Sequence, residues 1–212
     1  MATLQGVYTA SVLDNRDPDN TARILVRVSG QANAGDVWAR VATLMAGRNR
    51  GTWFIPDVGD EVLVAFENGD PRAPYVIGSL WSGKARPPAE SSDAAATRMI
   101  RSRTGVTVRI RDEKSASLVI ETPAGQRISL QDGPGSIRIE DENGNSVTMA
   151  VSGVTVNASS KVTVSASSIE VNAGTLTVNA GMSRFSGVVQ CDTIIANSVV
   201  GGSYTPGAGN IL

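Results

Sequence analysis

The stretch VTVNASSKVTVSASSIEVNAGTLTVNAG, residues 154–181, limits the folds open to this chain more than any other feature. Pairs of apolar residues flank one polar residue in Val154/Val156, Val162/Val164, Ile169/Val171 and Leu176/Val178, and the pattern restarts every seven or eight residues. Alternation with period two is the mark of a strand with one buried face; a helix needs spacings of three and four. Strands this short turn too few side chains inward for one chain to make a core from them. Two architectures answer that problem. A single-chain β-helix groups such units into coils of roughly eighteen or more residues, with caps and ladders of large core side chains. An intertwined trimer winds three chains about one axis. Each strand then pairs with strands of the other two, no edge is left open, and a row of Val, Ile and Leu fills a narrow three-sided prism.

The alternation is not confined to that stretch. Longer units with charged outward positions run back to residue 105 as GVTVRIRD, ASLVIET, QRISLQD, GSIRIED and NSVTMAV, and SRFSGVVQ, DTIIANS and VVGGS follow. That makes about twelve strands, which at about 4.8 Å each predict a prism on the order of 60 Å long. From residue 152 onward only Lys161, Glu170, Arg184 and Asp192 are charged. Residues 1–83 are different: they hold all three tryptophans, two of the three tyrosines and two of the three phenylalanines. Five alternating segments (6–15, 24–30, 36–44, 60–71 and 73–81) lie there without helical connections, which predicts a small Greek-key barrel of the OB type with those large side chains available for its core. Only GDVWARVATLMAG (35–47) also fits a short helix. Residues 84–104, rich in Pro, Ala, Ser and Arg, read as a linker. The expected class is all-β: barrel 1–83, linker 84–104, spike 105–200 and an apex segment 201–212.

Composition removes most chemistry. There is no histidine, and hence neither the commonest general base nor the commonest transition-metal ligand. The single cysteine, Cys191, sits in the strand-like VVQCDTII and reads as a packed thiol. The adjacent carboxylates Asp60/Glu61, Asp112/Glu113 and Asp141/Glu142 point to opposite faces of a strand and cannot flank one glycosidic bond. DENGN (141–145) lacks the spaced ligands of a calcium loop and reads as a turn. A net charge of −1 gives no general pull toward nucleic acid, and residues 1–83 show no basic cluster beyond Arg48 and Arg50. No apolar run approaches the ~18 residues of a membrane span, and the start lacks a secretory signal pattern. The expectation is a non-enzyme without cofactor or metal, assembled in the cytoplasm.

The segment RGTWFIPDVGDEVLVAFENGDPRAPYVIGSLWSG (50–83) resembles the barrel signature of the VgrG and phage baseplate protein V family. Its matching positions are Pro56, Val58, Gly59, Asp60, Glu61 and Val62, then Phe66, Gly69, Asp70, Pro71, Pro74, Val76, Gly78, Ser79, Leu80 and Trp81. VLDNRDPDNTARILVRV (12–28) resembles the first hairpin of the same family. Most of these residues also have plain structural roles: Gly59 and Gly69 in turns, Asp60 and Asp70 bonding local amides, Phe66, Tyr75 and Trp81 as core or interface aromatics.

The resemblance implies an OB barrel followed by a triple-stranded β-helix, a homotrimer, and the role of central spike in a contractile injection apparatus that pierces a target envelope mechanically. Only about six residues precede the barrel, so a separate hub protein is expected at that end. No histidine is present for an iron-binding apex, so a separate tip protein of the PAAR-repeat kind is expected at the other, docking on Tyr204, Pro206, Ile211 and Leu212. A linker of about twenty residues leaves no room for an internal muramidase. The alternatives are a carbohydrate-binding or depolymerising tailspike, which needs aromatics along its prism where this chain has only Phe185 and Tyr204, and an OB-type nucleic-acid binder.

Overall fold

A computed structural model describes residues 4–31, 35–88, 94–133 and 135–203. The first segment folds as expected into strands β1 (Val7–Asp14), β2 (Arg23–Val28) and β3 (Asp36–Val41), a small hairpin of β4 (Ala46–Gly47) and β5 (Arg50–Gly51), then β6 (Glu61–Phe66) and β7 (Pro74–Leu80). The five longer strands close a barrel in the order β1-β2-β3-β7-β6, with β6 pairing back onto β1. All neighbours are antiparallel except β3 and β7. Closure leaves no free sheet edge. The possible helix at 35–47 is strand and hairpin, and the one helical turn among the described residues is a 3-10 turn at Glu67–Gly69.

The barrel core differs from the aromatic one that composition invites. It consists of Ala10, Val12, Ile24, Val26, Val28, Ala39, Val62, Val64 and Val76, closed at one end by Leu4 and Phe66. Tyr8 packs edge-on against Phe66 with ring centroids 5.6 Å apart. Trp53 and Trp81 are 73% and 71% exposed, and Trp38 lies on the outer wall beneath the Arg23 guanidinium. A five-stranded barrel encloses a narrow interior that β-branched side chains fill, which leaves the large rings outside.

A second sheet follows in the same compact unit, residues 1–162. Its seven strands are β8 (Thr97–Arg101), β9 (Thr107–Arg111), β10 (Ser117–Glu121), β11 (Arg127–Gln131), β12 (Ser136–Glu140), β13 (Ser146–Ala150) and β14 (Gly153–Asn157). Each pairs antiparallel with the next in a continuous meander. Two differences from the sequence reading follow. The sheet begins at Thr97, inside the stretch read as linker, because TRMIR supplies an alternating edge for β9. Strands β8–β14 also take their ladder partners from their own chain, where partners from other chains were expected.

The turns explain that pairing. Ser102–Val106, Thr122–Gln126 and Asp141–Asn145 share one construction. The fourth residue is a glycine at positive φ (Gly105 +95°, Gly125 +92°, Gly144 +84°) whose N–H donates to the carbonyl of the first. The side-chain oxygen of the first residue accepts the N–H of the fifth: Val106 to Ser102 at 3.0 Å, Gln126 to Thr122 at 3.3 Å, Asn145 to Asp141 at 2.8 Å. A loop this short closes at little entropic cost, so each strand folds back on its predecessor. Between residues 158 and 197 the glycines are preceded at that spacing by Val171, Val178 and Arg184, which cannot build this turn. No strand follows β14 among the described residues, although the alternation of Val162/Val164, Ile169/Val171 and Leu176/Val178 continues and all six side chains are exposed.

Candidate assembly surfaces

The signature residues sit mostly in turns that hold the barrel shut. Pro56 is buried, and its carbonyl accepts the Asn15 side-chain amide at 3.1 Å. Gly59, at φ +95°, donates its N–H to the Val12 carbonyl, while Asp60 accepts the Asp57 N–H at 2.9 Å. Glu61 opens β6 opposite Ser11 and Leu80. Gly69, at φ +77°, offers its carbonyl to the Leu4 N–H. Asp70 receives a two-pronged contact from Arg72, with Nε–Oδ1 3.0 Å and Nη2–Oδ2 2.8 Å. That hydrogen bonding lowers its carboxyl to about 2 from the ordinary 3.8. Pro71 lies in the turn that follows, and buried Pro74 starts β7 opposite Phe66. Gly78 pairs with Leu63 where the ladder shifts register, and Trp81 projects beyond the end of β7.

Beside these, the Asp17 carboxylate organises the first hairpin. Only 4% exposed, it accepts bonds from the Arg23 guanidinium, the Thr21 hydroxyl and the backbone amides of Asp19, Thr21 and Arg23. Hydrogen bonding from Arg23, seconded by Thr21, holds its carboxyl far below the usual carboxylate range. None of these groups is aimed at a shared reaction centre. Among the described residues no three Cys, Asp or Glu side chains converge as a metal cluster. Of the adjacent carboxylates, Asp112 faces Arg98 at 4.0 Å, Glu113 faces Arg111 at 3.2 Å and Asp141 is held in its turn.

What the fold displays instead is exposed apolar surface. In the meander the second and fourth residue of every strand share one face. One row reads Ile100, Val108, Ile120, Ile128, Ile139, Val147, Val156. The other reads Arg98, Ile110, Leu118, Leu130, Ile137, Met149, Val154. Ten of these side chains are 38–67% exposed. The opposite face is polar, with Arg138 on Glu140 at 2.7 Å, Arg109 near Glu121 at 3.8 Å and Arg127 near Glu140 at 4.0 Å. Where the barrel meets this sheet, Asp57, Glu61, Trp81, Arg101 and Arg103 line a groove of about 490 Å³, with Arg103 on Asp57 at 3.3 Å.

The apolar rows are legible in the alternation. A second exposed surface, the β4–β5 hairpin with Leu44, Met45, Trp53 and Phe54, was not picked out, because apolar residues beside a barrel motif read as core. Tyr204, Pro206, Ile211 and Leu212, the expected tip contacts, lie outside the described residues.

Comparison with known proteins gives these surfaces a context. Residues 8–81 match the family described as the type VI secretion system/phage-baseplate injector OB domain. Residues 117–177 match the phage baseplate V C-terminal trimerisation domain. The spike protein of Escherichia phage P2 is 30% identical over 145 residues, which are 68% of this chain and 59% of that protein. The type VI secretion system spike protein VgrG1b of Pseudomonas aeruginosa is 33% identical over 103 residues, 44% of this chain and 14% of that protein. VgrG3 of Vibrio cholerae is 40% identical over 68 residues, 30% of this chain and 7% of that protein. The chain therefore spans 59% of the length of the phage P2 spike protein and 14% or less of the two VgrG proteins. Along this chain the match to the injector OB domain over residues 8–81 is followed by the match to the trimerisation domain over residues 117–177, and the chain is similar in sequence to a phage spike protein over 145 residues.

Proposed function

We propose that this chain is the central spike of a contractile injection apparatus, acting as a homotrimer and as a mechanical part without catalysis. The observation that carries this is the apolar face of the meander together with the unpaired alternating segment after it. Thirteen of the fourteen positions in its two rows are apolar, and ten of those side chains are 38–67% exposed among the described residues. Covering the exposed half of each is worth about 1 kcal/mol, so their sum favours association strongly. Three such sheets, apolar faces inward, close a three-sided prism of seven layers, roughly 30 Å long at about 4.8 Å per strand. In residues 158–200 the chain lacks the turns for pairing with itself, and strands from the three chains alternate to continue the prism. Folding of that part and trimerisation are then one event.

The barrel seats on a separate hub protein, and the far end of the prism meets the target envelope through a separate tip protein docked on Tyr204, Pro206, Ile211 and Leu212. Sheath contraction supplies force, and a slender body with every strand edge paired supplies stiffness. Labelling of assembled particles tests the placement. A tag on this chain is expected at the centre of the baseplate, on the tube axis. A tag found along lateral fibres contradicts it.

A further inference from the structure

Between β3 and β6 the barrel wall throws out the β4–β5 hairpin, and its composition is unlike the rest of the barrel surface. Leu44 is 97% exposed, and Met45, Trp53 and Phe54 are also more than half exposed. The arm is not loose. The Thr43 hydroxyl donates to the Thr52 carbonyl at 2.8 Å, the Met45 N–H donates to the Thr52 hydroxyl at 3.1 Å, and the Thr52 N–H returns to the Met45 carbonyl at 2.9 Å. Asn49 takes the positive φ of +55° that the two-residue tip requires. At Gly51 an added Cβ would lie 2.6 Å from the Met45 carbonyl oxygen, so only glycine lets the two strands approach. Four large apolar side chains are thus held in water in a fixed arrangement, beside a groove of about 540 Å³ between the hairpin and the barrel wall.

Charge says what covers them. No acidic residue occurs between Asp36 and Asp57, while Arg40, Arg48 and Arg50 do. Arg48 and Arg50, at the tip, form no ion pair among the described residues, and Arg40 lies over the Tyr75 ring at 5.5 Å. Most aspartates of the same barrel are already committed: Asp14 to Arg16, Asp17 and Asp19 to Arg23, Asp36 to Arg27, Asp57 to Arg103 and Asp70 to Arg72. The barrel of a second copy therefore offers few uncommitted aspartates to this arm. Single-stranded nucleic acid would meet stacking rings and cations, but Leu44 and Met45 give it nothing to stack on.

We propose that the 43–55 hairpin is the arm by which the barrel docks on its hub: Leu44, Met45, Trp53 and Phe54 enter an apolar recess of that protein, and Arg48 and Arg50 meet carboxylates on its rim. This rests on the reading that the barrel seats on a separate hub. The experiment uses the full-length protein and the hub protein purified from the baseplate of the same particle, mixed in solution. Trp53→Ala/Phe54→Ala is expected to weaken binding by about tenfold or more, since exposed aromatic anchors dominate interfaces. Arg48→Glu/Arg50→Glu, at sites with no partner to lose within the fold, is expected to weaken binding and flatten its salt dependence. Both variants keep the solution mass of the unaltered protein. Wild-type binding that both variants preserve within about twofold overturns the arm and leaves the hub reading standing, by the same affinity scale. Absence of wild-type binding overturns the hub reading itself. Single-stranded DNA that binds wild type and is lost with Arg48→Glu/Arg50→Glu overturns the choice of a protein partner.

Discussion

At the scale of single residues the barrel depends on a few groups whose surroundings leave little choice. Ile24 is fully buried, and Ile24→Ala is expected to cost about 2–5 kcal/mol in thermal or urea unfolding of the barrel. Gly59 has open space where a Cβ would stand, so Gly59→Ala costs only the backbone strain of φ +95°, about 1–2 kcal/mol. Asp17 makes the barrel acid-sensitive in a stated direction. Its folded carboxyl titrates below the ordinary 3.8 because Arg23 and Thr21 bond its charged form. Its contribution is complete above that ordinary value and is lost as pH falls through the folded one. Asp17→Asn is therefore expected to lower the melting temperature at pH 7, with the gap to wild type narrowing below pH 3.8, as read by circular dichroism. A gap constant with pH contradicts the role given to the carboxylate. Asp70 follows the same sign, its share disappearing as pH falls from 3.8 through about 2.

At the scale of elements, alternation told which residues share a face but not which strand lies beside which. β1, β2, β6 and β7 were readable because short runs rich in Val, Ile and Leu lie between turn residues. β8 was hidden: TRMIR carries Arg98 in an otherwise apolar row and follows a Pro- and Ala-rich stretch. The meander itself was written in the turns, where Ser102, Thr122 and Asp141 each precede a glycine by three residues, a signal that a search for strands passes over. The rings of Trp53 and Trp81 could not be placed from composition, since a tryptophan serves a core and an interface equally well. The two faces of the meander make opposite predictions. Ile128→Asp, in the middle of an apolar row, is expected to abolish the trimer in sedimentation. Gln131→Lys, exposed on the same strand's polar face, is expected to change stability by no more than about 0.5 kcal/mol.

At the scale of the whole molecule, a single chain is an incomplete object. Residues 1–162 are one compact unit with a barrel that buries its own core, whereas the sheet that follows displays an apolar face and the segment after it keeps the apolar alternation with its side chains exposed. Packed as three, the same sequence satisfies both. Backbone amides between Val162 and Val178 are then ladder groups, and in the assembled protein they are expected to exchange with deuterium as slowly as those of β9–β13. Exchange at unfolded-chain rates there contradicts the continuous prism. The most direct test is the mass of the unlabelled protein in solution by sedimentation equilibrium. A homotrimer gives a particle three times the chain mass of 22.0 kDa that persists on dilution; a folded, stable species of 22.0 kDa contradicts the trimeric prism.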